Sequence, residues 1–266
     1  MSRESILRWV RVVLVGLLGG YGVIVLVAFL LQRDLVFPLV RSNPLFEQPG
    51  ERRVWVDVAE GRVPMEEHPK AGAPEVVFFH GNAEHIGRLR ADAQGASLAG
   101  LAFWAVEYPG YGDAEAGLPS EGALLDAARA ALAVLGAPRV CVGHSLGSGV
   151  AVAMAAEGRC AALVVISPYT SMVDVAGYHF GWLPTRWLVR DRFDSLARAP
   201  QVAVPALVMH GRRDDVIPFV LGERLAAALP GARFLPLEGG HNDVRGVETW
   251  QAIGAFVRES GVAPPG

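Results

Sequence analysis

The chain has 266 residues, 52% of them apolar, enough to bury one full-sized core with appendages rather than several domains. A formal net charge of -3 and a pI near 6.2 leave no basic stripe that could neutralise a run of phosphates, which excludes nucleic-acid binding. The two cysteines, Cys141 and Cys160, lack metal-ligand spacing and read as small buried hydrophobes rather than as a disulfide or redox pair.

Residues 12–31 carry no charge and, at ~1.5 Å rise per residue, reach roughly 30 Å, the hydrocarbon thickness of a bilayer. The run closes on Phe29, Leu30, Leu31 and Gln32 without the small residues of a cleavage site, so residues 1–33 are expected to form an uncleaved single-pass anchor. Arg3, Arg8 and Arg11 precede the run while Arg33 and Arg41 follow it, a bias of one charge toward a cytoplasmic N-terminus and an extracytoplasmic catalytic domain. Residues 34–51, with Pro38, Asn43, Pro44, Pro49 and Gly50, read as a linker.

The main domain is expected over 52–260, followed by a short tail, 261–266. Residues 52–58 alternate Val, Trp, Val and Val with polar side chains, the period of a half-solvated edge strand. Short apolar runs at 75–79, 102–106, 139–142, 163–166 and 206–209, each bounded by turn residues, read as buried parallel strands. Ala-rich stretches at 121–135 and 146–157 supply good helix formers for the crossovers. The expected fold is therefore α/β, a mostly parallel sheet with helices on both faces and its chemistry beyond the carboxyl ends of the strands.

At that end lies Val142-Gly143-His144-Ser145-Leu146-Gly147, an apolar strand entering Gly-x-Ser-x-Gly and then an Ala-rich helix. A nucleophilic serine needs such a tight strand-to-helix turn, where glycines let neighbouring backbone pass closely and the helix N-terminus favours developing negative charge. Because a serine hydroxyl is a poor nucleophile at its own pKa, it also needs a histidine and a carboxylate that orients it. Asp214 and Asp215 follow the run 206–209 in a polar turn, and one of them should face the crevice. His241 follows Phe234-Leu235-Pro236-Leu237 and a Gly pair, a loop able to deliver an imidazole. Asp243 reads as a hydrogen-bonder within that loop. His80-Gly81-Asn82-Ala83 ends another strand, and the amides of Asn82 and Leu146 are the expected oxyanion donors, with the His80 side chain as scaffolding. His144 and His210 read as turn residues, His68 and His85 as solvent-facing, and His179 as part of an aromatic insertion.

These segments, with Tyr108-Pro109-Gly110-Tyr111-Gly112 and Ile217-Pro218, together resemble the α/β-hydrolase superfamily over roughly 52–259. More narrowly, they are similar to its membrane-anchored branch, which includes protein depalmitoylases and bacterial serine-aminopeptidase-like hydrolases. The resemblance implies the triad Ser145, Asp214 and His241, with Asp214 preferred because it occupies the Gly-x-x-Asp position. One departure is the short acidic stretch 61–74, where relatives carry a longer second strand.

Residues 168–203 are too long for a simple crossover and read as a small cap, with Tyr169, Trp182 and Trp187 as substrate contacts. The same composition also fits a helix packing its apolar face on the body. The leading expectation is hydrolysis of a carboxylic ester or thioester of a small-molecule or lipid-like acyl substrate through an acyl-enzyme on Ser145, with no metal or organic cofactor. The alternatives are a serine peptidase for short peptides, with Asp174 or Glu107 receiving the substrate amine, and a catalytically silent membrane-tethered binding module.

Overall fold

The computed structural model describes residues 2–38, 52–136 and 139–264. Most of the expected linker, residues 39–51, lies outside them. An N-terminal helix, α1 (Arg3–Val36), precedes an eight-stranded sheet. The strands are β1 (Arg52–Val58), β2 (Gly61–His68), β3 (Glu75–Phe79), β4 (Ala102–Val106), β5 (Arg139–His144), β6 (Cys160–Ile166), β7 (Ala206–Gly211) and β8 (Arg233–Leu237). Their spatial order is β1-β2-β4-β3-β5-β6-β7-β8. β1 to β2 and β2 to β4 pair antiparallel and the rest parallel. The expected edge strand 52–58 does open the sheet.

Helices α2 (Arg90–Leu98), α3 (Glu121–Leu135), α4 (Leu146–Ala156), α8 (Phe219–Ala228) and α9 (Val247–Glu259) flank it, and the short helices α5 (Met172–His179), α6 (Thr185–Leu188) and α7 (Ser195–Arg198) lie in the segment expected as a cap. Because successive side chains of a buried strand point to opposite faces, each strand feeds two cores. Val77 and Phe79 join α3 and α4 in one cluster, while Val76 and Phe78 join α2 and α9 in the other. α4 is almost entirely apolar and is buried from Leu146 to Ala155, as expected of a helix enclosed on all sides.

Three expectations are corrected. The acidic stretch after β1 does form a full strand: β2 pairs with β1 from Arg52↔Glu67 to Val58↔Gly61, and the buried Glu66 is neutralised by Arg53. Cys141 and Cys160 form a disulfide across the neighbouring strands β5 and β6, with Cα atoms 5.7 Å apart. α1 continues to Val36, and Phe37 is buried in the main core against Phe193, so the expected linker does not begin at residue 34. No residue in the most apolar stretch of α1 is fully buried by the rest of the protein, and the stretch has the length and composition to cross a membrane.

Candidate active site

The parallel strands deliver their carboxyl ends to one rim. At the end of β5, Ser145 adopts φ 51° and ψ -118°, a left-handed conformation costing about 1–3 kcal/mol that the surroundings must enforce. They do so through hydrogen bonds from the Ser145 amide to the Ile166 carbonyl (3.0 Å) and from the Ser148 amide and hydroxyl to the Ser145 carbonyl (2.9 and 2.6 Å). A Cβ at Gly147 would collide with the Phe79 carbonyl, and one at Gly143 with the Gly147 carbonyl, so both glycines of the motif are required for α4 to cross the sheet this closely.

β7 ends in a turn that carries Asp214, and the loop after β8 carries His241. The Ser145 hydroxyl lies 2.9 Å from His241 Nε2, and His241 Nδ1 lies 2.8 Å from Asp214 Oδ2. With the carboxylate as acceptor, Nδ1 carries the proton and Nε2 accepts from the serine. Asp214 Oδ1 also accepts from the amides of Val216 (3.0 Å) and Ile217 (2.8 Å), and its side chain is fully buried. Burial alone would raise this carboxyl, but hydrogen bonds from His210, His241 and the Ile217 amide outweigh it and hold the group far below the usual carboxylate range. Asp215 is exposed and one residue out of reach.

The chain leaving β3 forms the opposite wall. The amides of Asn82 and Leu146, the expected oxyanion donors, have no hydrogen-bond partner among the described residues, and both residues line the cavity above Ser145. Ala83 has φ 56°, and the Asn82 side chain accepts from the Ala83 amide (3.0 Å) and the Tyr111 hydroxyl (3.1 Å), which fixes the turn.

Two buried ion systems hold this turn from beneath. His80 Nε2 lies 2.8 Å from Glu107 Oε1, and both side chains are fully buried. Burial disfavours the imidazolium, yet Glu107 more than offsets this and raises the His80 pKa. The second system begins at Glu84, which accepts from the Gly81 amide (2.8 Å), pairs with Arg245 (2.5 Å) and lies 3.7 Å from His144 Nδ1. Burial raises the Glu84 carboxyl, but His144 and Arg245 outweigh it and hold the group well below the usual range. Burial is also the main reason that His144, stacked 5.2 Å from the His241 ring, has a lowered pKa. Arg245 continues to Asp92 (3.7 Å), whose carboxyl is pushed up to about 6, chiefly by burial. Glu84 and Arg245 are functional candidates that sequence reading missed, because neither belongs to a motif.

The cavity above Ser145 measures about 240 Å³, and apolar side chains, among them Leu146, Met172, Val175, Phe180 and Ile217, make up most of its wall. Among the described residues no carboxylate lines it. Two of the three expected substrate contacts, Tyr169 and Trp187, do not line it, and the third, Trp182, borders the neighbouring cavity. Tyr169 is fully buried beneath α4 with its hydroxyl donating to the Leu146 carbonyl (3.1 Å), Trp182 lies toward α1, and Trp187 is 85% exposed. Glu107, held by His80, cannot meet a substrate amine, and Asp174 accepts from the Thr170 hydroxyl (2.5 Å). Other histidines are also reassigned: His144 and His210 belong to strands rather than turns, and His85 is buried rather than solvent-facing. Asp243 does bond within its own loop, accepting from the Gly240 amide (3.0 Å). Among the described residues no group of three His, Cys, Asp or Glu side chains is placed to hold a metal ion.

By fold and by similarity the chain belongs to the α/β-hydrolase superfamily. Residues 70–193 match the family model Hydrolase_4, described as serine aminopeptidase, S33. The Mycobacterium tuberculosis uncharacterized protein Rv2307c is 34% identical over 96% of this chain and 97% of its own length. The mouse alpha/beta hydrolase domain-containing protein 17C is 34% identical over 64% of this chain, which spans about half of that protein (54%). Among solved structures, Pyrococcus furiosus esterase Pf2001 superposes with a TM-score of 0.68 at 16% identity, over 84% of this chain and 98% of that one. The monoacylglycerol lipase of Paleococcus ferrophilus gives 0.59 at 20% identity, over 74% and 99%. At these identities the two structures speak for the fold alone.

Proposed function

We propose that the protein is a membrane-anchored serine hydrolase that cleaves carboxylic esters or thioesters of apolar acyl groups. The reading rests on one observation: the Ser145, His241 and Asp214 relay opens into an apolar cavity whose lining, among the described residues, holds no carboxylate to receive a substrate amine. In the proposed reaction the Ser145 hydroxyl gives its proton to His241 Nε2 as Oγ bonds to the acyl carbon. The carbonyl oxygen, now negative, is met by the amides of Asn82 and Leu146. The bond to the alcohol or thiol then breaks, and the leaving atom takes the proton from His241. Water gives a proton to the same imidazole while its oxygen attacks the acyl-enzyme, and return of that proton to Oγ releases the carboxylic acid and restores the serine. Asp214, held ionised, keeps His241 in the required tautomer and stabilises the imidazolium.

α1 serves as the anchor in this reading, with the hydrolase domain on the extracytoplasmic side. The excess of arginines before the span supports that side, as does the Cys141–Cys160 disulfide, a bond that persists mainly in oxidising compartments. Whether protease added outside sealed, right-side-out vesicles digests the domain decides the orientation.

The test of function is hydrolysis of p-nitrophenyl esters of graded chain length by the full chain in detergent, beside leucine p-nitroanilide and the Ser145→Ala variant. Ester hydrolysis that falls to background in Ser145→Ala, an expected loss of at least about 10⁴-fold, is the supporting outcome. Cleavage of the anilide without ester hydrolysis points to the peptidase. Folded protein that cleaves neither and resists a fluorophosphonate probe is a silent module.

A further inference from the structure

The apolar cavity above Ser145 has a neighbour. Leu35, Val36, Ala176, Phe180 and Val189 line it and also line a second, larger cavity of about 440 Å³, so the two abut along a shared apolar wall. α1 supplies one wall of the second cavity through Val23, Val27, Ala28 and Leu31, and the cap supplies the other through Trp182 and Leu188. From Leu35 to Val23 the helix rises ~18 Å, a length that suits a long acyl chain rather than acetyl or butyryl.

α1 is docked on the cap by specific contacts. Arg33 pairs with Asp191 (3.0 Å), Gln32 accepts from the Arg190 amide (2.9 Å), the Arg190 guanidinium lies over the Phe29 ring, and the Tyr21 hydroxyl donates to the Trp182 carbonyl (2.9 Å). These contacts fix the depth of the cap. The polar contacts meet at Gln32 and Arg33, where the charge-free run ends, whereas Tyr21 lies ~17 Å further along the helix, a little over half the hydrocarbon thickness. A cap docked in this way carries the exposed Phe180 and Trp182 down to acyl-chain depth whenever α1 spans a bilayer. An apolar cleft at that depth opens sideways into lipid rather than into water.

We infer that α1 is more than a tether: it forms one wall of the acyl-binding site, and the seam between α1 and the cap holds a single long acyl chain that enters from the bilayer. The inference rests on the ester or thioester hydrolase reading above. The chain lies along α1 from Val23 toward Leu35, and its carbonyl arrives over Ser145. Arg33, Asp191 and Arg190 mark the level of the polar headgroups.

The experiment uses the full chain reconstituted in phosphatidylcholine vesicles, with kcat/KM measured on p-nitrophenyl palmitate and p-nitrophenyl butyrate. Ala28→Trp fills the seam far from the triad, and Leu17→Trp places the same bulk on an exposed part of α1 outside it. The expected result is a palmitate-to-butyrate ratio at least tenfold lower in Ala28→Trp, with Leu17→Trp equal to the parent on both esters. A ratio in Ala28→Trp equal to the parent's overturns the inference. Absence of any Ser145-dependent hydrolysis in the parent protein sinks the hydrolase reading itself. A second measurement needs no variant. The parent protein is labelled with a hexadecyl fluorophosphonate carrying a diazirine at the chain end and then irradiated. Crosslinks within residues 23–31 are expected, and crosslinks confined to the hydrolase domain overturn the inference.

Discussion

At the rim of the sheet the groups around Ser145 are held from at least two directions: His241 between Ser145 and Asp214, Asp214 between an imidazole and two amides, the Gly81 turn between His80 and Glu84. Along the seam between α1 and the cap the side chains are mostly apolar and far more open, with Phe180 49% and Trp182 59% exposed. Directional bonds in a buried, low-dielectric site fix atoms to within fractions of an ångström, which acyl transfer demands. Apolar contact is non-directional and accepts chains of varied length, so selectivity can change at the seam without disturbing the chemistry at the rim.

If the rim is fixed by directional bonds, removing one should cost far more than removing a seam side chain. Asp214→Asn is expected to lower kcat on a short ester by about 10⁴-fold, because the amide favours the wrong histidine tautomer, while the exposed Asp215→Asn stays within twofold. Equal losses in the two variants would break the assignment of the acid. One layer down, Glu84→Gln weakens the hold on the Gly81 amide and the pull of Arg245, and should lower kcat about 10- to 100-fold with KM little changed. A change confined to KM would place Glu84 in substrate binding instead.

Asp92 tests the same network through pH. Its carboxyl is raised to about 6 in the folded protein against about 4 in an unfolded chain. Between those values the folded state holds more protons, so stability falls as pH rises from about 4 to about 6, by at most about 3 kcal/mol. Asp92→Asn should flatten that slope in thermal unfolding followed at pH 4.5 to 7.5, and a variant whose slope matches the parent's would remove Asp92 from the account. The smallest effect is expected on the solvent side of α6, where Trp187→Ala should change stability by less than about 0.5 kcal/mol because the side chain is already largely in solvent.

Much of the rim was legible in the sequence because its signals are local. Ser145 stands in a five-residue motif between an apolar run and an Ala-rich stretch, and Asp214 and His241 each follow a short apolar strand. β2 was less legible because Pro64 and two adjacent glutamates interrupt its pattern, and only the pairing of Arg53 with Glu66 shows how a strand accommodates them. Tyr169 looked like a cap aromatic facing substrate, yet packing turned it under α4. The disulfide was missed because Cys141 and Cys160, 19 residues apart, meet only through the register of β5 and β6.

By itself the sequence determined the strands other than β2, the fold class, the order of the candidate serine, acid and histidine, and an N-terminal helix long enough to cross a bilayer, since each depends on periodicity, turn chemistry or spacing along the chain. Tertiary structure alone decided which buried charges brace the Gly81 turn, that the cysteines pair, and that α1 lies against the cap beside the cavity over Ser145. Those features depend on side chains tens to hundreds of residues apart, and their meeting is set by how the layers pack rather than by any local pattern.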